Sequence, residues 1–284
     1  MIVTSTDSRR IEIAALRRLG QRCGVTTWPV VLDLWTPAAD GALGETDGAL
    51  GEARADARDR ADHDDATLDR AITEAGLSDS SGPTLWAELV VGVLAHPDRE
   101  LEIRGFAAES TVRACVARRG HDHVLAVRRG DHIDLALIPV PDINALAGAV
   151  RATCGPHDAL DFAETSVPTR ELTERFGHCA DTLDVGAALR AWGAADAHAI
   201  RVADALLSCD VRWEIVATTR ADGVLTQTSG AIGIIDSRAG RILMGLSRSP
   251  DDRLWTTITP GTGHRIGAAV DRLIDTLPGR RWFP

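Results

Sequence analysis

Arg99-Glu-Leu-Glu-Ile-Arg-Gly-Phe106 alternates apolar and charged side chains. Leu101 and Ile103 fall on one face of an extended chain, and Glu100, Glu102 and Arg104 on the other, which is the period of a strand. Short strands follow at Thr111–Ala117, His123–Arg128 and His132–Ile138. Arg119-Gly120 and Arg129-Gly130-Asp131 supply the turns between them. A helix over Trp86–Leu94 precedes this group. Another, over Asp142–Thr153, follows Pro139-Val-Pro-Asp and carries the stripe Ile143, Leu146, Ala147, Val150 and Cys154. Strands joined by tight turns form antiparallel meanders, and with helices at their ends they give an α+β architecture.

The same order returns downstream. A helix over Ala197–Leu207 leads into the alternating strand Val211-Arg-Trp-Glu-Ile215. Strands at about 224–236, 240–246 and 253–259 follow, and then a closing helix with Ile266, Val270, Leu273, Ile274 and Leu277. Leu101-Glu-Ile103 aligns with Trp213-Glu-Ile215 at an offset of 112, and Leu146-Ala-Gly-Ala-Val150 with Ile266-Gly-Ala-Ala-Val270 at 120. These parallels imply two related halves, residues 84–153 and 197–277, each helix–four strands–helix. Between them, residues 155–195 read as a joining segment. It has an extended Thr165–Thr169 and helices at about 169–177 and 182–192, with Thr169 and Asp181 as N-cap candidates.

Towards the N-terminus, Trp28-Pro-Val-Val-Leu-Asp-Leu-Trp35 has the composition of a strand, with Pro29 at its start or on an edge. A helix from about Asp65 carries Leu68, Ala71, Ile72 and Ala75 before Gly76. Residues 40–64, rich in glycine, alanine and charge, have little to bury and are expected to be the most mobile segment.

The chain has 284 residues, a mean hydropathy of −0.05 and a formal charge of −10. That balance argues against a general grip on nucleic acid. All 31 basic residues are arginine, which excludes a Schiff-base or P-loop lysine. The five cysteines form no CxxC pair, and Met1–Asp7 lacks the basic-then-apolar pattern of a signal peptide. Apolar runs such as Leu89–Ala95 are too short to cross a bilayer. A reduced, soluble, cytoplasmic protein without membrane insertion is expected.

No catalytic constellation stands out. Gly261-Thr-Gly263-His-Arg-Ile-Gly267 opens a helix after a strand, but its spacing departs from the dinucleotide fingerprint and no later strand completes a nucleotide site. It reads as a glycine-rich helix start. His121-Asp-His123 could put two imidazoles on one strand face, yet the segment reads as a solvated hairpin tip. The Asp62–Asp65 cluster reads as a solvated face, and His178-Cys179 lacks an orienting partner. Ser247 and Ser249 lie outside a GxSxG elbow. Glu102 and Glu214 occupy equivalent positions opposite the core side chains and read as solvent-facing. The seven tryptophans are spread along the chain as packing residues. No cofactor and no metal site are expected.

Several segments taken in order carry a resemblance. They are Trp28-Pro-Val-Val-Leu, Val167-Pro-Thr-Arg170, the helix pair around Leu189-Arg-Ala-Trp192, and Gly230-Ala-Ile-Gly-Ile-Ile-Asp-Ser-Arg-Ala-Gly-Arg-Ile-Leu-Met244. Trp255–Thr262 and the closing Leu277-Pro-Gly-Arg-Arg-Trp-Phe-Pro284 complete the set. The chain resembles the EspG family, ESX (type VII) secretion-associated proteins of actinobacteria. The resemblance implies a single domain over 1–284 with a quasi-two-fold central antiparallel sheet flanked by helical bundles. It also implies a cytosolic chaperone that binds the helical tip of a PPE protein in a PE–PPE heterodimer and has no enzymatic activity. The family's contact surface lies on the sheet and the C-terminal helical bundle, which points here to Thr165, Val167, Val224, Thr226, Thr228 and Gly230. Alternation puts Thr226, Thr228 and Gly230 on one face. Residues 38–65 are longer and more acidic than the family pattern. A structural subunit of the secretion apparatus and an enzyme using a His/Asp site are the other readings, and a homodimer stays open.

Overall fold

The fold centres on a strand pair that no hairpin joins, Arg99–Ala107 against Cys209–Ala221. The computed structural model describes residues 7–25, 27–34, 64–221 and 223–284. The first half begins with β1 (Ser8–Glu12), α1 (Ile13–Arg22) and a 3-10 turn at Val30–Leu32. Then come α2 (residues 64–74), the small hairpin β2 (Ser78–Asp79) and β3 (Gly82–Pro83), and α3 (Leu85–Ala95). The meander β4 (Arg99–Ala107), β5 (Thr111–Arg119), β6 (Asp122–Arg129) and β7 (His132–Leu137) leads to α4 (Ile143–Cys154). The second half opens with β8 (Thr165–Pro168), α5 (Thr169–Phe176), α6 (Thr182–Ala191) and α7 (Asp196–Leu207). It continues through β9 (Cys209–Ala221), β10 (Val224–Gln227), β11 (Ile232–Ser237), β12 (Gly240–Arg248) and β13 (Leu254–Pro260) to α8 (Gly263–Ile274).

One antiparallel sheet holds every strand except β2 and β3, in the order β1-β7-β6-β5-β4-β9-β11-β12-β13-β8, with β10 also on β9. At the centre, Ile103 is the direct cross-strand partner of Ile215, the residue 112 positions on. A residue paired with its own counterpart lies on a two-fold axis, so the register places that axis through this pair, perpendicular to the sheet. The parallel in element order reaches beyond 84–153 and 197–277. β1 closes one edge of the sheet on β7, and β8 closes the other on β13. Thus β8, α5 and α6, within the segment read as a joiner, stand where β1, α1 and α2 stand in the first half.

Three apolar clusters hold the layers together. On one face of the sheet, α4 and α8 lie side by side over Leu101, Ile103, Trp213, Ile215 and Ile234. On the other face, α1, α2 and α3 pack on Cys115, Ala117, Ala126 and Leu135. Beside them α6 and α7 pack on Ile235, Ile242 and Ile258.

Some local expectations change. Val30–Leu32 forms a 3-10 turn, not a strand, and Trp35 lies outside the described residues. Pro29 lacks an N–H, Asp33 turns left-handed at φ 51°, and the edge beside β7 is already taken by β1. The carbonyls of this run are instead met by arginines: Arg17 donates to Leu34, Arg113 to Val31 and Arg128 to Leu32. Val31, Leu32 and Leu34 become core plugs. Asp181 caps α6 as expected, accepting from Leu183 and Asp184. Thr169 does not cap α5; it is the first helical residue, and its hydroxyl meets that of Thr256. Of residues 40–64, all but Asp64 lie outside the described residues.

The Ile-Asp-Ser-Arg-Ala-Gly-Arg run is the β11–β12 turn, and it builds a buried polar knot. Asp236 Oδ1 accepts from Arg241 Nε at 2.5 Å, and Oδ2 accepts from Arg241 Nη2 at 2.8 Å and Trp213 Nε1 at 2.9 Å. Arg241 also donates to the carbonyls of Cys154 and Gly155 at the end of α4. Two glycines fit around it. Gly240, at φ +132°, lies so close to Leu160 that a Cβ would come 2.6 Å from its backbone nitrogen. A Cβ on Gly261 would run into the Arg241 side chain, which is the physical reason for the glycine-rich start of α8. Removing one partner of a buried ion pair strands the other. Asp236→Ala is therefore expected to lose about 3–5 kcal/mol in urea unfolding. Asp236→Leu with Arg241→Met should recover most of that loss.

Candidate functional site

Helices cover the α3/α7 side of the sheet unevenly. α3 packs on β5, β6 and β7, α7 packs on β11 and β12, and α5 packs on β8 and β13. The two-fold strands β4 and β9 therefore lie in a trough between the helical layers, which the 3-10 turn Val30–Leu32 partly covers over β4. Alternation and the β4–β9 register put Glu100, Glu102, Arg104 and Phe106, with Arg212, Glu214, Val216 and Thr218, on its floor.

The floor is acidic and partly desolvated. Glu102 is 6% exposed and hydrogen-bonded to Arg104 at 2.8 Å, whereas Glu214 is exposed. Glu102 is thus not the solvent-facing residue that alternation suggests. A central strand is flanked on both sides, and its neighbours shield even its polar face. Burial raises the Glu102 carboxyl above its ordinary value, with Arg104 opposing and Glu214 adding to the shift. Glu100 is 5% exposed, and its Oε2 lacks a hydrogen-bond partner, as does the Oγ1 of its cross-strand neighbour Thr218. Burial, followed by the charge of Glu102, pushes Glu100 from 4.5 up to about 7, against the pull of Arg220. Arg212 lies over the Phe106 ring, 5.3 Å from its centre.

Among the described residues, several large apolar side chains are exposed. Leu85 and Leu89 on α3, Ile200 and Leu207 on α7, and Leu225 on β10 are exposed. Leu225 pairs with Arg220, which places it on the trough side of the β9–β10 hairpin. An exposed leucine beside a polar strand face, as Leu225 is here, suits a protein-binding surface.

The residues singled out from the sequence do not form one patch. Thr165 and Val167 are buried on edge strand β8, separated from β11 by β12 and β13. Thr228 is buried, donates to the Gly230 carbonyl at 2.9 Å and accepts from the Ala217 N–H at 3.2 Å. Gly230 sits under Leu246. Val224 is 62% exposed and Thr226 half-buried, on the side of the hairpin opposite Leu225. Leu225 and the α7 leucine and isoleucine were not singled out; the alternation of Val224-Leu-Thr-Gln227 already carried the signal for Leu225.

The catalytic candidates have structural roles. His123 is buried; its Nε2 accepts from Trp282 Nε1 at 3.1 Å and its Nδ1 contacts the His121 carbonyl at 3.0 Å. It is a packed core residue and not part of a solvated hairpin tip, because Trp282 covers it. Cys179 is raised above the ordinary thiol value, by burial and then by Asp184, which is opposite to the activation a nucleophile needs. Among the described residues, no helix is long and apolar enough to cross a membrane.

The Glu100 carboxyl ties stability to pH. A buried acid whose value rises on folding stabilises the fold below its unfolded value and loses that contribution as pH climbs towards the folded value. Stability should therefore fall between pH 4.5 and about 7. Glu100→Gln should flatten that fall and gain on the order of 3 kcal/mol at pH 8, with little change at pH 4.5, in urea titrations.

A family model described as "EspG family" matches residues 12–272. The ESX-1 secretion-associated protein EspG1 of Mycobacterium tuberculosis (H37Rv) is 35% identical over 224 residues, covering 76% of this chain and 74% of that protein. The ESX-3 secretion-associated protein EspG3 of M. tuberculosis (CDC 1551) is 28% identical over 219 residues, 68% of this chain and 71% of its own. The fold matches that of the M. tuberculosis type VII secretion system chaperone EspG5, solved in complex with a PE25–PPE41 dimer. The TM-score is 0.77 at 18% identity, over 97% of this chain and 99% of that one.

Proposed function

Because the chain belongs to the EspG family, we propose that it is a cytosolic secretion chaperone for a PPE-type protein in a PE–PPE heterodimer. It binds the helical tip of that partner, keeps the tip soluble and directs it to a type VII (ESX) system. It is assigned no catalytic step. The observation that carries this reading is the family match, together with the exposed Leu225 on the trough side of the β9–β10 hairpin. A helical tip exposes apolar side chains at i, i+3 and i+4, which an exposed apolar residue with polar neighbours, such as Leu225 beside Arg220, can help to bury. The full-length fold match to a chaperone solved with a PE–PPE dimer supports the choice of partner.

The contact surface is proposed as the β9–β10 hairpin, with Leu225 at its centre and Val224 and Thr226 at its edge. Thr228 and Gly230 set the base of the hairpin, and Thr165 and Val167 fix the strand from which α5 starts. Leu225→Arg puts a charge on the trough side of the hairpin without touching the core. It should weaken a co-expressed PE–PPE pair at least about tenfold, or about 1.4 kcal/mol, in a titration that also confirms an unchanged circular dichroism spectrum. Val224→Arg and Thr226→Arg should each cost less. Unchanged affinity in all three would remove the hairpin from the interface. Failure to co-purify with any PE–PPE pair of the same genome would refute the chaperone role.

A further inference from the structure

The two-fold relation between the halves exposes a difference in charge. Asp236 and Arg241 pair across β11 and β12, one step inside their turn. The same step inside the β5–β6 turn pairs Arg118 with His123. In the second half the knot is electrically complete, because Asp236 meets the guanidinium of Arg241. In the first half the corresponding place has a guanidinium and no carboxylate.

Arg118 is 5% exposed, and its Nε and Nη1 are buried with no hydrogen-bond acceptor among the described residues. Its cross-strand neighbour on the other side is Arg99, whose Nε and Nη1 are buried and unmatched in the same way. Arg281, exposed on the C-terminal tail, brings a third positive charge close enough to lower both guanidinium values, though burial is the larger cause. The nearby carboxylate is Asp98, half-exposed. Its Oδ2 lies 3.6 Å from Arg118 Nη2 and is already bonded to the Gly120 N–H at 2.8 Å. His123 does not supply negative charge, and its Nε2 is taken by Trp282.

Two adjacent guanidiniums with four buried, unmatched nitrogens are costly unless an anion meets them. Their flat donor forks suit an oxyanion that accepts several N–H bonds at once. We propose that Arg118 and Arg99, with Arg281 closing from the tail, form a binding site for a tetrahedral oxyanion of the phosphate or sulfate type. The anion supplies the negative charge that the Asp236 carboxylate supplies in the other half. Arg99 is only partly buried and gives the ion its way in. The occupied site would pin the Gly279–Pro284 tail over the end of β4, where Gly279 already lies beside Arg99 and Trp282 covers His123.

The test is calorimetric and thermal. Inorganic phosphate, sulfate and, as a planar control, acetate are titrated into the full-length protein at constant ionic strength set with chloride. Phosphate or sulfate should bind saturably, and at about ten times its dissociation constant should raise the melting temperature by about 3 °C. Arg118→Met should abolish the saturable heat and this increment. Arg99→Met, a change at a partly exposed residue, serves the same purpose should the first variant not fold, and Arg281→Ala should weaken binding several-fold. A site filled by acetate and not by phosphate or sulfate would overturn the assignment. So would an increment that persists in Arg99→Met, or no saturable binding by any of the three ions.

Discussion

The antiparallel pairing of β4 with β9 is the constraint from which the rest follows. These strands are remote in sequence, so the pairing closes a long loop and has to be stabilised by what it buries. It does so by bringing Leu101 and Ile103 beside Trp213 and Ile215, under α4 and α8. Without this joint, each half would present an unpaired strand edge. With it, two four-stranded meanders become one sheet, closed at its outer edges by β1 and β8.

Buried polar contacts then fix details that apolar packing leaves loose. Asp236, Arg241 and Trp213 lock the β11–β12 turn to the end of α4, and His123 with Trp282 locks the C-terminus to the β5–β6 turn. Such groups specify one arrangement because a shifted register would leave them unmatched in a low-dielectric interior. The sequence runs that most strongly carry the family resemblance, Ile235–Arg241 and Trp282–Pro284, are these two locks. They hold the scaffold, and the uncovered apolar residues of the trough lie elsewhere.

The trough is a consequence of symmetry. Each half puts its helices over its own outer strands on the α3/α7 face, so the axis itself stays between the layers on that side. On the opposite face α4 and α8 meet across it and close the core. Among the described residues, this face of the axis strands is exposed at Arg212 and Glu214 and buried at Glu100 and Glu102, and the halves differ in what they add to it. The second half contributes the β9–β10 hairpin, an extension that the continuous strand β5 lacks.

The sequence by itself determined most of the order of helices and strands from residue 84 onward and the antiparallel meanders, because alternation, turn residues and helical stripes are local and leave a direct trace. The resemblance added the family, since the ordered runs that carry it are short and contiguous. Whether Val30–Leu32 paired or plugged the core depended on whether β1 already held the edge. The burial of Glu100, Glu102 and His123 depended on which neighbours covered them, and alternation reports a side of a strand but not what stands on it. Of the six residues singled out for the partner, only Val224 is freely exposed, while Leu225 beside it faces the trough. Only the tertiary structure decided this, because a surface is assembled from elements far apart in the chain, and its exposure is set by what packs around it.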